Sequence, residues 1–211
     1  MKMMIIIIFA GFTLFGFPPA AARLSRSRLN RLARRGWLLP TAVRGSWEFV
    51  PADRAGPFSS QEPWLPLLGA ITRRPELPLR IALGSALWVM GLTDRGPDRP
   101  EITAPRGIRV PPILSSSYRI THFTPVLPPL ALNGLPVEAP ATLLTHLTER
   151  PAAVRSWEAV LAAMPRLVDR VNQEDLAAEL AGRTAAPRAR FGRRLEAFNY
   201  PDDDEGRTVC D

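Results

Sequence analysis

Between residues 23 and 51 the chain reads RLSRSRLNRLARRGWLLPTAVRGSWEFVP, an arginine-studded segment that stops at a glycine and runs into two apolar, aromatic pieces joined at Arg-Gly. Few folds accept that order. Ser25 has the chemistry of an N-cap and Gly36 that of the residue just past a helix C-terminus, which together bound a helix of about ten residues. Helical spacing gathers Leu29, Leu32 and Ala33 on one face and Ser27, Asn30, Arg31 and Arg34 on the other. Residues 37–39 and 46–50 then read as hairpin strands, with Val43, Arg44 and Gly45 at the tip. This is the order of a winged helix-turn-helix, in which a helix enters the major groove and a hairpin lays a basic tip beside it.

Charge sharpens the expectation. The formal net charge is +7, and residues 23–54 hold eight arginines against Glu48 and Asp53. From Ala55 onward 18 arginines meet 18 acids, so the positive field is localised, as a phosphate-neutralising surface requires. Lys2 is the only lysine. Arginine richness is therefore partly a property of the whole chain, and the segregation weighs more than any single arginine.

A length of 211 residues allows one or two modest domains with real cores, and 46% apolar content says globular. Prolines crowd residues 97–140 and favour short extended pieces over long helices there. The single cysteine, Cys210, leaves no internal disulfide and no Cys-rich zinc site.

The first 22 residues pull in several directions. Lys2, the apolar run 3–17 and Ala20-Ala21-Ala22 match a secretory signal, and the run is short of the about twenty residues a membrane span needs. The same stretch suits an apolar first helix packed on Leu29 and Leu32, and its odd composition also fits a misassigned translation start. The expectation is a cytoplasmic protein that keeps this segment. Secretion or membrane tethering through residues 1–22 is the alternative.

Along the chain, Pro18 and Pro19 open a short helix reaching Leu24, and a Pro-, Gly- and Ser-rich link covers residues 51–63. Helices are predicted at 64–72 and 84–90, and short strands at 101–103, 106–110, 118–123 and 135–137. After Pro140 the pattern gives helices at 141–148, 154–164, 173–181 and 187–198. The fold class is α+β: an N-terminal winged helix-turn-helix, then a small mixed β-sheet with a C-terminal helical cluster. The domains are 1–56 for DNA binding, 57–199 for the α+β part and 200–211 as an acidic disordered tail. No internal repeat is visible.

The order RRGWL, VRGSWEF, SALWVMGL, short strands, NGLPVEAPATLLTHL and RFGRRLEAF resembles the AbiEi family of antitoxin-type transcriptional regulators, over about residues 23–199. The resemblance implies a winged helix that represses its own operon. It also implies a C-terminal domain that neutralises a nucleotidyltransferase-like toxin encoded beside it, in a type IV toxin–antitoxin system and without need of a stable complex. The departure is at the front, where MKMMIIIIFAGF replaces an ordinary first helix.

Among individual residues, Arg31 and Arg34 match guanine edges and Asn30 matches adenine, while Arg28, Arg35 and Arg44 flank the face as phosphate partners and Ser27 completes it. The bland alternative is a solvated helix face in an arginine-rich protein. Trp37 and Trp47 read as wing core rather than stacking platforms. Ser85, in Leu-Gly-Ser-Ala-Leu, lacks the second glycine of a nucleophile elbow, and neither His122 nor His146 sits in a supporting pattern. His146 reads as a packed helical histidine, and Asp202 to Glu205 as a solvated tail. No catalytic set, metal site, cofactor or small-molecule substrate is expected, and the partners are double-stranded DNA and the toxin. A stand-alone regulator with the same fold is the second reading, and a lipid-touching exported protein the third.

Overall fold

A computed structural model describes residues 3–9, 20–24, 26–40, 46–50 and 63–199. The expected hairpin tip with Arg44, the bulk of the 51–63 link and the acidic tail lie outside the described residues.

The run Ile5 to Ile8 is β-branched throughout, which restricts χ1 and favours extended backbone. Met3–Phe9 accordingly forms strand β1, which pairs antiparallel with β2, Ala20–Leu24. Two expectations are thereby corrected. Of the apolar front, the described residues Met3–Phe9 form a strand rather than a first helix, and Ala20–Leu24 is a strand rather than the end of a short helix. Strand β1 also pairs in parallel with β4, Ser46–Phe49, and β4 pairs antiparallel with β3, Leu38–Pro40, in the order β2-β1-β4-β3.

Helix α1, Arg26–Arg34, follows β2 and ends as its sequence dictates. Gly36 sits at φ +75°, the Trp37 amide donates to the Leu32 carbonyl at 3.1 Å, and the Gly36 amide donates to Ala33 at 2.9 Å. This pair of bonds is a Schellman cap, and its left-handed residue favours glycine. The cap turns the chain straight into the β3–β4 hairpin, with Leu39 opposite Glu48.

The second sheet is mixed, with order β7-β6-β5-β9-β8. Its strands are β5 (Arg80–Ile81), β6 (Glu101–Ala104), β7 (Arg119–His122), β8 (Leu130–Leu132) and β9 (Leu135–Val137). The helices around it are α2 (Leu65–Arg73), α3 (Leu83–Val89), α4 (Pro112–Ser117), α5 (Pro140–Glu149), α6 (Trp157–Val168), α7 (Gln173–Ala181) and α8 (Ala185–Asn199). The strand predicted at 106–110 is instead a turn and open chain, with Gly107 at φ +84°.

Helix α5 is the centre of this unit. Every residue from Ala141 to Thr148 is buried, so the helix is covered on all sides. Two of its threonines are satisfied within the helix: the Thr145 hydroxyl donates to the Ala141 carbonyl at 2.9 Å and Thr148 to Leu144 at 3.1 Å. Leu143 and Leu147 join Ile81, Leu83, Leu87, Ile102, Val137 and Leu167 in one core.

Candidate functional site

Three constellations stand out. The first is the basic helix. Ser27, Arg28, Asn30, Arg31 and Arg34 on α1 and Arg35 just after it are all exposed, whereas Leu32 and Ala33 are half-buried, so the two-faced character read from the sequence is present. Trp47 is half-buried, in keeping with a hairpin interior. Trp37 is 41% exposed and corrects its expected place in the core, although its carbonyl accepts the Val50 amide at 2.9 Å and so continues the hairpin pairing. The charge balance beyond Ala55 is an average that hides a second basic stretch: α8 carries Arg188, Arg190, Arg193 and Arg194 against Glu196. Arg188, Arg190 and Arg193 are exposed.

The second is a buried polar knot that fastens α5, α7 and the chain between β7 and β8. Glu179 of α7 is fully buried and accepts the Leu127 amide at 3.0 Å, the Val126 amide at 3.2 Å and the Thr142 hydroxyl at 2.8 Å, besides the Arg183 guanidinium. Burial pushes its carboxyl up, but those donors together outweigh burial and hold it below the ordinary glutamate value. Arg183 also pairs with Glu149 at 3.0 Å and lies 4.3 Å over the Phe123 ring. Phe123 stacks on His146 at 4.1 Å, and His146 Nδ1 meets Glu138 Oε1 at 2.8 Å. Arg80 donates to the Leu127 carbonyl at 2.6 Å; burial lowers its pKa while Glu138 and Glu179 raise it.

The third is a cleft of about 600 Å³ bounded by α3, the 93–99 loop, the β6–β7 edge and the start of α6. Its wall holds Glu101, whose side chain is 3% exposed and pairs with Arg119 at 2.8 Å. The second Glu101 oxygen accepts the Gly84 amide at 2.9 Å. A Cβ on Gly84 would stand 3.2 Å from that oxygen. Burial pushes the Glu101 carboxyl up, partly offset by Arg119 and the backbone at Gly84 and Ser85. The Ser85 Oγ accepts the Glu101 amide at 2.8 Å and so ties α3 to β6. Leu83 beside it adopts φ +51°, a left-handed conformation that is strained for a leucine.

Among the described residues no three His, Cys, Asp or Glu side chains are grouped to hold a metal ion. His122 is exposed and His146 buried, so the two histidines do not converge. Of the residues sequence reasoning missed, Glu179 and Arg183 had a signal in their i, i+4 spacing. Glu101 and Arg119 are 18 positions apart and are joined only by strand pairing, with Glu101 opposite Arg119.

Residues 80–197 match the AbiEi antitoxin C-terminal domain family. This chain belongs to the AbiEi antitoxin family. The matched span runs from β5 into α8, so the antitoxin domain contains both the cleft and the knot. The fold is similar to that of the RV2827C protein from Mycobacterium tuberculosis, known from a crystal structure, with a TM-score of 0.65 and 28% identity. That likeness covers 84% of this chain, and this chain spans 66% of that protein, just under two thirds. Comparison with curated proteins gives no match.

Proposed function

We propose that this AbiEi-family chain is a non-enzymatic, DNA-binding antitoxin that represses its own operon and counteracts a nucleotidyltransferase-like toxin. The observation that carries the reading is the family match over residues 80–197, joined to an exposed arginine face on α1 that is capped directly into a hairpin. In this reading residues 1–56 form a winged DNA-binding domain with α1 as the recognition helix and β3–β4 as the wing. Residues 57–199 form the part that opposes the toxin, and residues 200–211 are an acidic tail. Arg31, Arg34 and Asn30 read bases, Ser27 completes the face they share, and Arg28, Arg35 and Arg44 hold phosphates.

The protein acts in the cytoplasm, where its operator and its toxin are. Among the described residues no helix is long and apolar enough to cross a membrane. The test is binding to the chain's own promoter, with Arg31→Ala and Arg34→Ala compared on that site and on random duplex. Each lost base contact should cost about 1 to 3 kcal/mol on the specific site, with a smaller loss on random DNA. Equal losses on every sequence overturn the assignment of base readers. Promoter binding without protection from the neighbouring gene's product would leave a stand-alone regulator.

A further inference from the structure

We infer that the cleft between α3 and α6 is a binding site for a small organic phosphate of nucleotide size. Four arginines line it, Arg95, Arg99, Arg119 and Arg155, against only Asp98 and Glu101, an excess of two positive charges that matches a phosphate dianion. These cations are not equivalent. Glu101 holds Arg119 at 2.8 Å on the wall, and Glu101 is itself fixed by the Gly84 amide and, through its own amide, by Ser85. An arginine pinned by a buried carboxylate loses little freedom when a phosphate takes its remaining N–H donors.

Arg99 is likewise tethered, donating to the Ser115 and Ser116 carbonyls at 2.6 and 3.1 Å. Arg155, ahead of α6, is exposed and has no ion pair or side-chain hydrogen bond among the described residues. The Thr93 hydroxyl, also on the lining, is a buried oxygen that finds no partner among them either. Leu87, Val154 and Val160 supply an apolar floor for the body of the ligand.

The volume, about 600 Å³, falls within the usual range for small-molecule sites. The loop over the cleft is held in place from behind: a Cβ on Gly96 would come within 2.8 Å of the Trp88 ring. A phosphate on the side of Arg155 and Arg99 leaves Glu101 in its pair with Arg119. This site is independent of the DNA-binding reading, because none of its residues lies on α1.

Calorimetric titration of the full chain with AMP, inorganic phosphate and adenosine at fixed salt tests the inference. AMP should bind saturably and tighter than inorganic phosphate, and adenosine should not bind. Arg155→Ala, a surface change that leaves the fold intact, should weaken AMP by about tenfold. Arg31→Ala and Arg34→Ala should leave AMP binding unchanged. No saturable binding at millimolar AMP overturns the site, as does AMP binding that survives Arg155→Ala and falls with the α1 changes. Loss of toxin neutralisation in Arg155→Ala while AMP stays silent overturns it in favour of a carboxylate from a protein partner.

Discussion

His146 Nδ1 lies 2.8 Å from Glu138 Oε1, and neither side chain is exposed to solvent. The two are eight residues apart, Glu138 just after β9 and His146 on the second half of α5, so their contact locks the helix to the strand that precedes it. Removing one member of a buried pair strands the other. Glu138→Ala or His146→Ala should each cost about 1 to 3 kcal/mol from the hydrogen-bond partner left unsatisfied, and the double change should cost clearly less than the two together. Urea titrations of all four proteins read this directly. Additive losses would mean the two side chains are not energetically coupled.

A second expectation follows from Glu179, whose folded carboxyl sits below its ordinary value because its four donors outweigh burial. A depressed carboxylate stabilises fully above the unfolded value, about pH 4.3, and that stabilisation fades as pH falls through the lower folded value. Glu179→Gln should therefore be less stable than the parent at neutral pH and should lose less stability on acidification below about 4.3. Glu101 has the opposite sign: its raised carboxyl favours the folded state most when protonated, and that contribution is lost as pH rises through its folded value. The two windows lie on opposite sides of the ordinary glutamate value, so thermal unfolding against pH separates them. Parallel acid limbs for Glu179→Gln and the parent would contradict the account.

Much of this architecture was legible because it depends on local pattern. The α1 cap at Gly36, the β3–β4 hairpin and the helices after Pro140 all follow from residues within a few positions of one another. Strand β1 is not legible from hydropathy, because Met3 to Phe9 is apolar at every position and shows no period. Only the β-branched run Ile5 to Ile8 distinguishes strand from helix there. Strands β5 and β8, two and three residues long, are too short for alternation to show. The cleft and the knot were invisible for another reason. Contacts such as Thr142 to Glu179 and Arg80 to Leu127 span 37 and 47 positions and exist only once the sheet has formed.

The junction of α7 with the chain before β8 gives a steric test. A Cβ on Gly182 would lie 2.5 Å from Val126 Cγ2, 3.1 Å from its Cγ1 and 3.4 Å from its Cβ. Val126 turns only about χ1 and presents its Cβ and both methyls to the new group, so relief requires a change of rotamer or a small backbone shift. Gly182→Ala should cost about 1 to 3 kcal/mol, and Val126→Ala in the same chain should restore most of it. If Gly182→Ala alone leaves the unfolding midpoint unchanged, α7 is not seated on Val126 in the way described.

The last expectation concerns the division of labour along the chain. The family-matched residues 80–197 hold the cleft, the knot and the central helix α5, while the exposed arginine face of α1 lies ahead of them. Residues 57–199 should therefore be required for protection from the toxin, and residues 1–56 should keep at least weak, salt-sensitive DNA binding on their own. Arg188, Arg190 and Arg193 make α8 basic as well, so residues 57–199 should show some DNA affinity at low salt that vanishes near physiological ionic strength. Growth of cells co-expressing the neighbouring toxin with each piece decides. Co-purification is a weaker readout, because the proposed protection does not require a stable complex. Full rescue of growth by residues 1–56 alone would show that the arginine-bearing segment, and not the AbiEi domain behind it, opposes the toxin.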